Sequence, residues 1–119
     1  MAVLTKGAIF NSKDLPTQEV QIPEWGGSLF VRMLTAEERD AYEGSNFKLV
    51  NGKPEANMSN ARARFAVLVA CDENGKPIFV ADDAPELGRR SSRAVDRIVT
   101  AGRKLNGIGE DAVEDAKKN

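Results

Sequence analysis

The sequence lacks histidine entirely and contains a single cysteine among its 119 residues. Histidine is the commonest general base at neutral pH, so its absence excludes Ser-His-Asp and Cys-His catalytic arrangements. The lone Cys71 cannot form an internal disulfide, which fits a reducing compartment. Because it closes the apolar run ARFAVLVAC, we expect a small buried side chain and not a reactive thiol.

Long apolar runs and a strong net charge are also missing. No segment approaches the roughly 18 apolar residues that span a bilayer, and the first residues lack the apolar stretch of a signal peptide. The net charge of −1 provides no overall attraction to nucleic acid or anionic lipid. With 41% hydrophobic and 29% charged residues, the composition is typical of one soluble, cytosolic globular domain.

Recognisable metal, cofactor and phosphate motifs are absent from the sequence. Asp82, Asp83 and Glu86 in ADDAPELG could hold a hard cation. The same pattern is typical of a helix start, with acids at the positive end of the dipole and Pro85 in the first turn, and we favour that interpretation. The glycine pairs lack the spacing of a phosphate loop. The sequence therefore predicts no enzyme activity, no metal and no cofactor.

The first half of the chain predicts a hairpin followed by a helix. A strand is expected near residues 8–10, and EVQIPEWGGSLFVRML alternates like two strands joined at Gly26 and Gly27. Thr35 and Glu38 have the spacing of a capping box, which predicts a helix start at this point. That helix should end near Gly44. The following loop contains Asn51-Gly52, a pair that favours a tight hairpin turn.

The next helix is predicted from NARARFAVLVACD, with Ser59 as its N-cap. Residues 65–70 are all apolar and cover nearly the whole circumference of a helix. A helix that is apolar on all sides is buried on all sides. It is therefore either the central element of the fold or an element shared with a neighbouring subunit. A turn at Asn74-Gly75 and a short strand ending at Val80 should follow.

The last predicted helix, over residues 89–105, has one basic and one apolar face. The basic face contains Arg89, Arg90, Arg93, Arg97, Arg103 and Lys104, and the apolar face contains Val95, Ile98, Val99, Gly102 and Leu105. The basic face could neutralise phosphates of DNA or RNA. It lacks interleaved aromatic residues for base stacking, which favours a solvated face or an acidic protein partner.

These patterns predict a mainly helical α+β domain in which an N-terminal β-hairpin packs on three to four helices. Residues 1–107 should form one globular domain, and residues 108–119 a flexible acidic tail. Two strongly apolar helical faces in so small a domain also indicate contact with a partner or a second copy. The candidate residues for that contact are Phe65, Leu68, Val95 and Ile98.

The quoted segments VQIPEWGGSLFVRMLTAEERDAYE, DENGKPIF and KLNGIGEDAVEDAKKN resemble the tail assembly chaperones of long-tailed, lambda-like bacteriophages. The resemblance covers roughly residues 20–119. It consists of patterns of residue type and their spacing, without a catalytic signature. It implies a non-enzymatic protein made late in infection in the host bacterial cytoplasm and absent from the finished particle. The tape measure protein is its implied partner.

The resemblance also implies a longer product, made when ribosomes slip near the end of the gene, that helps to bring tail tube subunits. Lys117 and Lys118 can be encoded by a run of adenines, on which ribosomes slip. Two other functions are open from the sequence. One is a small DNA- or RNA-binding regulator that uses the basic face, and the other is a minor structural subunit of the virion.

Overall fold

The computed structural model describes residues 2–109. Its helices are α1 (Lys6–Phe10), α2 (Ala36–Ser45), α3 (Ala61–Val69), α4 (Ala84–Leu87) and α5 (Ser92–Asn106). Its strands are β1 (Thr17–Ile22), β2 (Gly27–Arg32), β3 (Phe47–Val50), β4 (Lys53–Ala56) and β5 (Ala70–Cys71). The predicted class, an N-terminal hairpin combined with helices in an α+β fold, is confirmed.

The N-terminal hairpin forms most of a three-stranded antiparallel sheet with the order β1-β2-β5. A short 3-10 turn over Pro23–Trp25 joins the first two strands, and Gly26 ends it with a φ of 73°. That left-handed conformation favours glycine. The register pairs Thr17 with Arg32 and Ile22 with Gly27, which leaves Ile22 and Val31 buried against the helices.

Helix α3 is the centre of the core. Phe65, Ala66 and Val69 are each at most 1% exposed, and the helix packs against α5 and α4. Of the two sequence-based alternatives, a central element of the fold is therefore the one observed. The helix begins after Asn60, which adopts a left-handed φ of 49°, so the prediction of Ser59 as N-cap was wrong by one residue.

Helix α5 packs its apolar face against α3 and the hairpin. The side chain of Ser91 caps its start, and Gly107, with a φ of 67°, ends it. Ile108 donates a 2.8 Å hydrogen bond to the carbonyl of Arg103 and packs against the core. The predicted tail over residues 108–119 therefore begins with a residue that belongs to the domain, and residues 110–119 lie outside the described part.

Three predicted elements differ from the structure. Residues 8–10 belong to α1, because the Thr5 hydroxyl accepts a 3.1 Å hydrogen bond from Ala8 and caps a helical turn. The expected strand ending at Val80 is reduced to one bridge between Cys71 and Pro77. The last helix begins at Ser92 and not at Arg89, because Ser91 has a non-helical backbone conformation and serves as the N-cap.

The Asn51-Gly52 turn forms the predicted second hairpin, in which β3 pairs with β4. Both turn residues have positive φ angles, 54° and 78°, as a tight hairpin connection requires. Within residues 2–109, no helix has the length and apolar character needed to cross a membrane.

Candidate functional site

An open groove lies between α2 and α3, with a volume of about 330 Å³. Helix α2 contributes Glu38, Ala41, Tyr42 and Ser45, and α3 contributes Arg64, Val67 and Leu68. Spacings of three and four residues place each set on one helix face. Ala81 and Ala84 complete the lining. The lining of the groove is therefore mostly apolar, and its polar members are Glu38, Ser45 and Arg64.

Tyr42 lines this α2–α3 groove and also packs against the core. Its ring centroid lies 5.1 Å from that of the buried Phe65, at an interplanar angle of 54°. Tilted aromatic pairs at this distance are mutually attractive. This aromatic pair therefore connects the lining of the groove to the core.

Arg64 ties the β3–β4 hairpin to the body at one end of the groove. Its guanidinium donates to the carbonyl oxygen of Asn57 at 2.7 Å and to that of Ser59 at 2.9 Å. It also donates to the hydroxyl of Ser45 at 3.1 Å. A planar guanidinium can serve several acceptors at once, so one side chain holds both ends of the segment that contains the hairpin.

The β3–β4 hairpin carries an exposed apolar face. Phe47 lies opposite Ala56 and Leu49 opposite Pro54, and directly opposed residues point to the same side of a strand pair. Phe47 is 61% exposed and Leu49 is 76% exposed. These four residues are called the hairpin face below. Two strands alone are marginally stable in water, so the hydrogen bonds of Arg64 help to hold this hairpin in place.

Glu38, which lines the groove, forms a bidentate ion pair with Arg32. Two hydrogen bonds of 2.9 Å join the guanidinium to the carboxylate. Hydrogen bonding to Arg32 lowers the pKa of Glu38 to about 2. Glu38 also accepts from the backbone N–H of Thr35 at 3.0 Å, which completes the predicted capping box. The carboxylate therefore stays charged at neutral pH and fixes the start of α2 to β2.

The predicted basic face is divided into two parts. Arg89 and Arg90 lie before α5 and both pair with Glu86. Arg97 donates to the carboxylate of Glu24 at 2.8 and 3.0 Å, and this contact lowers the pKa of Glu24. Arg93 and Arg97 line a shallow cleft between α5 and β1. Paired guanidinium groups have less charge to offer to phosphates, which weakens the nucleic-acid interpretation.

Three of the four predicted partner-binding residues lie in the core of this chain. Phe65, Val95 and Ile98 are 1%, 5% and 0% exposed. Their burial indicates a packing role within one subunit, and their contact with a partner stays a prediction. Leu68 is partly buried and lines the α2–α3 groove. It is the one member of the set that reaches a candidate binding surface.

The acidic segment before α4 makes a hydrogen bond to the backbone at the helix start. A carboxylate oxygen of Asp83 accepts a 2.9 Å hydrogen bond from the N–H of Val80, and Pro85 lies in the first turn of α4. The predicted helix start is therefore confirmed. Among residues 2–109 no group of three or more acidic, cysteine or histidine side chains is arranged to hold a metal ion.

Cys71 is fully buried, as predicted. Burial raises the pKa of its thiol, because the charged thiolate is disfavoured away from water. The group therefore remains neutral near pH 7, as expected of a small packing residue.

The comparison with known families gives these surfaces a context. The sequence profile of a phage tail assembly chaperone family matches residues 4–118, which is nearly the whole chain. The chain belongs to this family of tail assembly chaperones. The solved structure of the bacteriophage HK97 tail assembly chaperone has the same fold, with a TM-score of 0.55. Its sequence is 19% identical, and the similarity covers 76% of this chaperone and 85% of that chain.

No curated protein matches this chaperone in sequence. The family assignment agrees with the resemblance seen in the hairpin, the apolar helix and the C-terminal segment. A chaperone acts by contact, so its exposed apolar surfaces are the relevant features of the structure. Sequence patterns did not indicate the groove, the hairpin face or the role of Arg64. The alternation of Phe47 and Leu49 beside Asn51-Gly52 was the available signal for the hairpin face.

Proposed function

We propose that this tail assembly chaperone binds apolar segments of the phage tape measure protein through the hairpin face. The observation that supports the proposal is the exposure of Phe47 and Leu49 on one side of a two-stranded hairpin. Large apolar side chains grouped on a projecting element lower solubility unless a partner covers them. A chaperone that meets a long, aggregation-prone chain uses such side chains for transient contact.

The way in which the hairpin is attached supports this role. Arg64 fixes its base to α3 by hydrogen bonds to the segments on both sides, so the apolar face is presented on a defined support. In the described chain the hairpin strands pair only with each other. Their outer edges can therefore accept an added strand, and their face can accept apolar side chains.

Binding of purified partners tests the proposal. Phe47→Asp/Leu49→Asp should weaken the affinity for apolar fragments of the tape measure protein of the same phage at least tenfold, since two exposed contacts are lost. Lys48→Asp lies on the opposite side of the same strand and changes the net charge by the same two units, so it serves as the control. Equal losses in both variants would show that charge, and not the hairpin face, decides binding.

The DNA- or RNA-binding alternative predicts a different response to salt. Contacts with phosphates weaken steeply as salt increases, because bound counterions are released. Apolar contact with the tape measure protein should weaken little between 50 and 200 mM salt, a range over which phosphate contacts lose orders of magnitude in affinity. Binding to DNA or RNA that weakens steeply with salt, and a salt dependence that disappears in Arg93→Ala/Arg97→Ala, would favour the nucleic-acid function.

Two further parts of the proposal concern the infected host cell. The chaperone acts in the bacterial cytoplasm and leaves before the particle is complete, so mass spectrometry of purified virions should not detect it. Its presence at a fixed copy number would instead indicate a minor structural subunit.

A longer form, made by ribosomal slippage near Lys117 and Lys118, brings tail tube subunits to the tape measure protein. Both lysines lie outside the described residues. Silent recoding of the two codons should remove a longer product from immunoblots of infected cells. A single product from the unaltered gene would contradict this part.

A further inference from the structure

Strand β1 forms the open edge of the three-stranded sheet. The order β1-β2-β5 places β1 and β5 at the two sides. The segment after β5 covers that side, because the N–H of Ile78 donates to the carbonyl of Ala70 at 3.3 Å. In the described part of the chain β1 pairs with β2 alone. An open edge presents a row of unpaired backbone N–H and C=O groups to solvent.

The register shows which backbone groups of β1 point outward. One position before the strand, the N–H of Met33 donates to the carbonyl of Pro16 at 3.0 Å. Opposed residues of an antiparallel pair alternate between bonded and non-bonded pairs, so Gln18, Val20 and Ile22 bond to β2. The other three residues of the strand direct their N–H and C=O groups away from β2, and all three are exposed: Thr17, Glu19 and Gln21.

The edge of β1 lacks the features that usually prevent pairing with another chain. The strand contains no proline or lysine, and it pairs with β2 over six residues without a bulge. Its one charged residue, Glu19, accepts a 2.7 Å hydrogen bond from the hydroxyl of Ser28 on β2. This bond holds the carboxylate toward β2 and away from the edge, so β1 can accept an added strand.

The cleft between β1 and α5 is basic. It has a volume of about 570 Å³, and its charged lining residues are Arg93, Asp96, Arg97 and Lys104. The carboxylate of Asp96 pairs with Arg62 at 2.9 Å. Arg93 is exposed and makes no ion pair or hydrogen bond within residues 2–109. The cleft therefore favours carboxylates on a segment that lies along β1.

The spacing of the basic residues suits an extended chain. Asn106, at the end of α5, donates to the carbonyl of the residue opposite Thr17. Arg97 pairs with Glu24, just beyond the other end of β1, so α5 runs alongside the strand in the opposite direction. Arg93 lies one turn before Arg97, about 6 Å along the helix axis. Alternate residues of a strand are about 6.8 Å apart, so successive carboxylates on one side of a strand match this spacing.

We infer that an extended acidic segment of a second protein adds to β1 as a fourth strand. Its backbone bonds to the outward groups of β1, and its alternate carboxylates lie against the basic residues of α5. DNA or RNA has no peptide groups for the edge and would bring phosphates close to Asp96, so a protein segment fits the cleft better. The inference does not depend on binding of the tape measure protein, which is assigned to the hairpin face.

A fluorescently labelled peptide of five Glu-Thr repeats tests the inference by anisotropy with the full-length chaperone. The unmodified peptide should bind. The same peptide with every backbone nitrogen methylated keeps its carboxylates but cannot donate backbone hydrogen bonds, so it should bind at least tenfold more weakly. A peptide of five Lys-Thr repeats should not bind, because its charge is reversed.

Variants of the chaperone test the two parts of the site separately. Glu19→Pro removes one outward N–H and should weaken peptide binding at least tenfold, whereas Glu19→Thr removes the same charge, retains the N–H and should bind at least as tightly as the unaltered chain. Arg93→Ala should weaken binding about three- to fivefold. Arg89→Ala removes the same charge outside the cleft and should weaken binding less than about twofold. Circular dichroism should show an unchanged fold in every variant.

Several outcomes would overturn the inference. Absence of binding by the acidic peptide, or equal affinity of its unmodified and methylated forms, would show that the edge accepts no such strand. Smaller oligomers of Glu19→Pro by light scattering would assign the edge to a second copy of the chain. Tighter binding of a ten-nucleotide oligothymidylate than of the peptide would assign the cleft to nucleic acid. Tighter peptide binding by Glu114→Gln/Asp115→Gln would assign it to the chain's own C-terminal residues.

Discussion

The side-chain carbonyl of Asn106 accepts a 2.8 Å hydrogen bond from the buried backbone N–H of Leu34. Asn106 lies at the end of α5, and Leu34 follows the second strand of the N-terminal hairpin. The side-chain amide of Asn106 also donates to the carbonyls of Arg32 and Gly102, at 3.1 and 2.9 Å. One buried amide therefore joins the sheet to the long helix.

Asn106→Ala should lower the free energy of unfolding by about 1–3 kcal/mol, because the N–H of Leu34 loses its partner where water does not reach it. Urea unfolding monitored by circular dichroism measures this change. Asn106→Asp should also be destabilised, since it retains the acceptor and loses both donors. Wild-type stability in the Ala variant would show that this amide does not join the two elements.

Glu38→Gln should lower stability at pH 7 by about 1 kcal/mol or less, since the Glu38 side chain is partly exposed to solvent. Glutamine retains the capping box. The difference in unfolding free energy between the two proteins therefore measures what the Glu38 charge contributes to stability. The pKa of Glu38 is lowered from 4.5 to about 2. The charge therefore contributes stability above about pH 4.5, and this contribution is lost as the pH falls toward 2. Urea unfolding at several pH values should show the stabilities of the two proteins converging over this range. A stability difference that stays constant with pH would contradict the lowered pKa of Glu38.

Gly102→Ala and Gly44→Ala should change stability in opposite directions. A methyl group at Gly102 would lie 2.8 Å from a methyl carbon of Val69 and 3.0 Å from the ring of Phe65, whereas Gly44 has no atom within 4 Å. Overpacking costs about 1–3 kcal/mol, against a gain of at most about 1 kcal/mol from replacing glycine in a helix. Thermal unfolding should show Gly102→Ala destabilised and Gly44→Ala slightly stabilised. Stabilisation of both would show that α3 and α5 are less closely packed than described.

Arg64→Lys should loosen the β3–β4 hairpin without unfolding the domain. Lysine cannot reproduce the bonds that the guanidinium makes to Ser45, Asn57 and Ser59. Amide hydrogen exchange in residues 47–56 should become at least tenfold faster, while exchange in α3 and α5 stays nearly constant. Uniformly faster exchange would indicate a global loss of stability and not a local clamp.

Local sequence signals predicted much of this fold. The Thr35–Glu38 capping box, the Asn51-Gly52 turn and the apolar run of α3 each act within a few residues, so pattern and propensity were sufficient. The error at residues 8–10 arose because three apolar or small residues fit a strand and a helix equally well, and the Thr5 cap decides between them.

The candidate surfaces were harder to predict because they depend on distant parts of the chain. The groove requires α2 and α3 to contribute residues to one surface, and the Arg64 clamp requires the end of α2 at Ser45 to converge with the segment at Asn57. Periodicity shows which side of a helix is apolar but not whether that side packs within the subunit or against a partner. Phe65 and Ile98 were chosen as partner contacts, the structure places both in the core, and their contact with a partner stays a prediction.

The solubility of the tape measure protein in the presence of the chaperone tests the central claim most directly. Co-expression with the unaltered chaperone or with Lys48→Asp should hold most of the tape measure protein in the soluble fraction after centrifugation. Co-expression with Phe47→Asp/Leu49→Asp, at equal expression and with an intact fold, should leave most of it in the pellet. Equal solubility with all three proteins would contradict the claim that the hairpin face binds the tape measure protein.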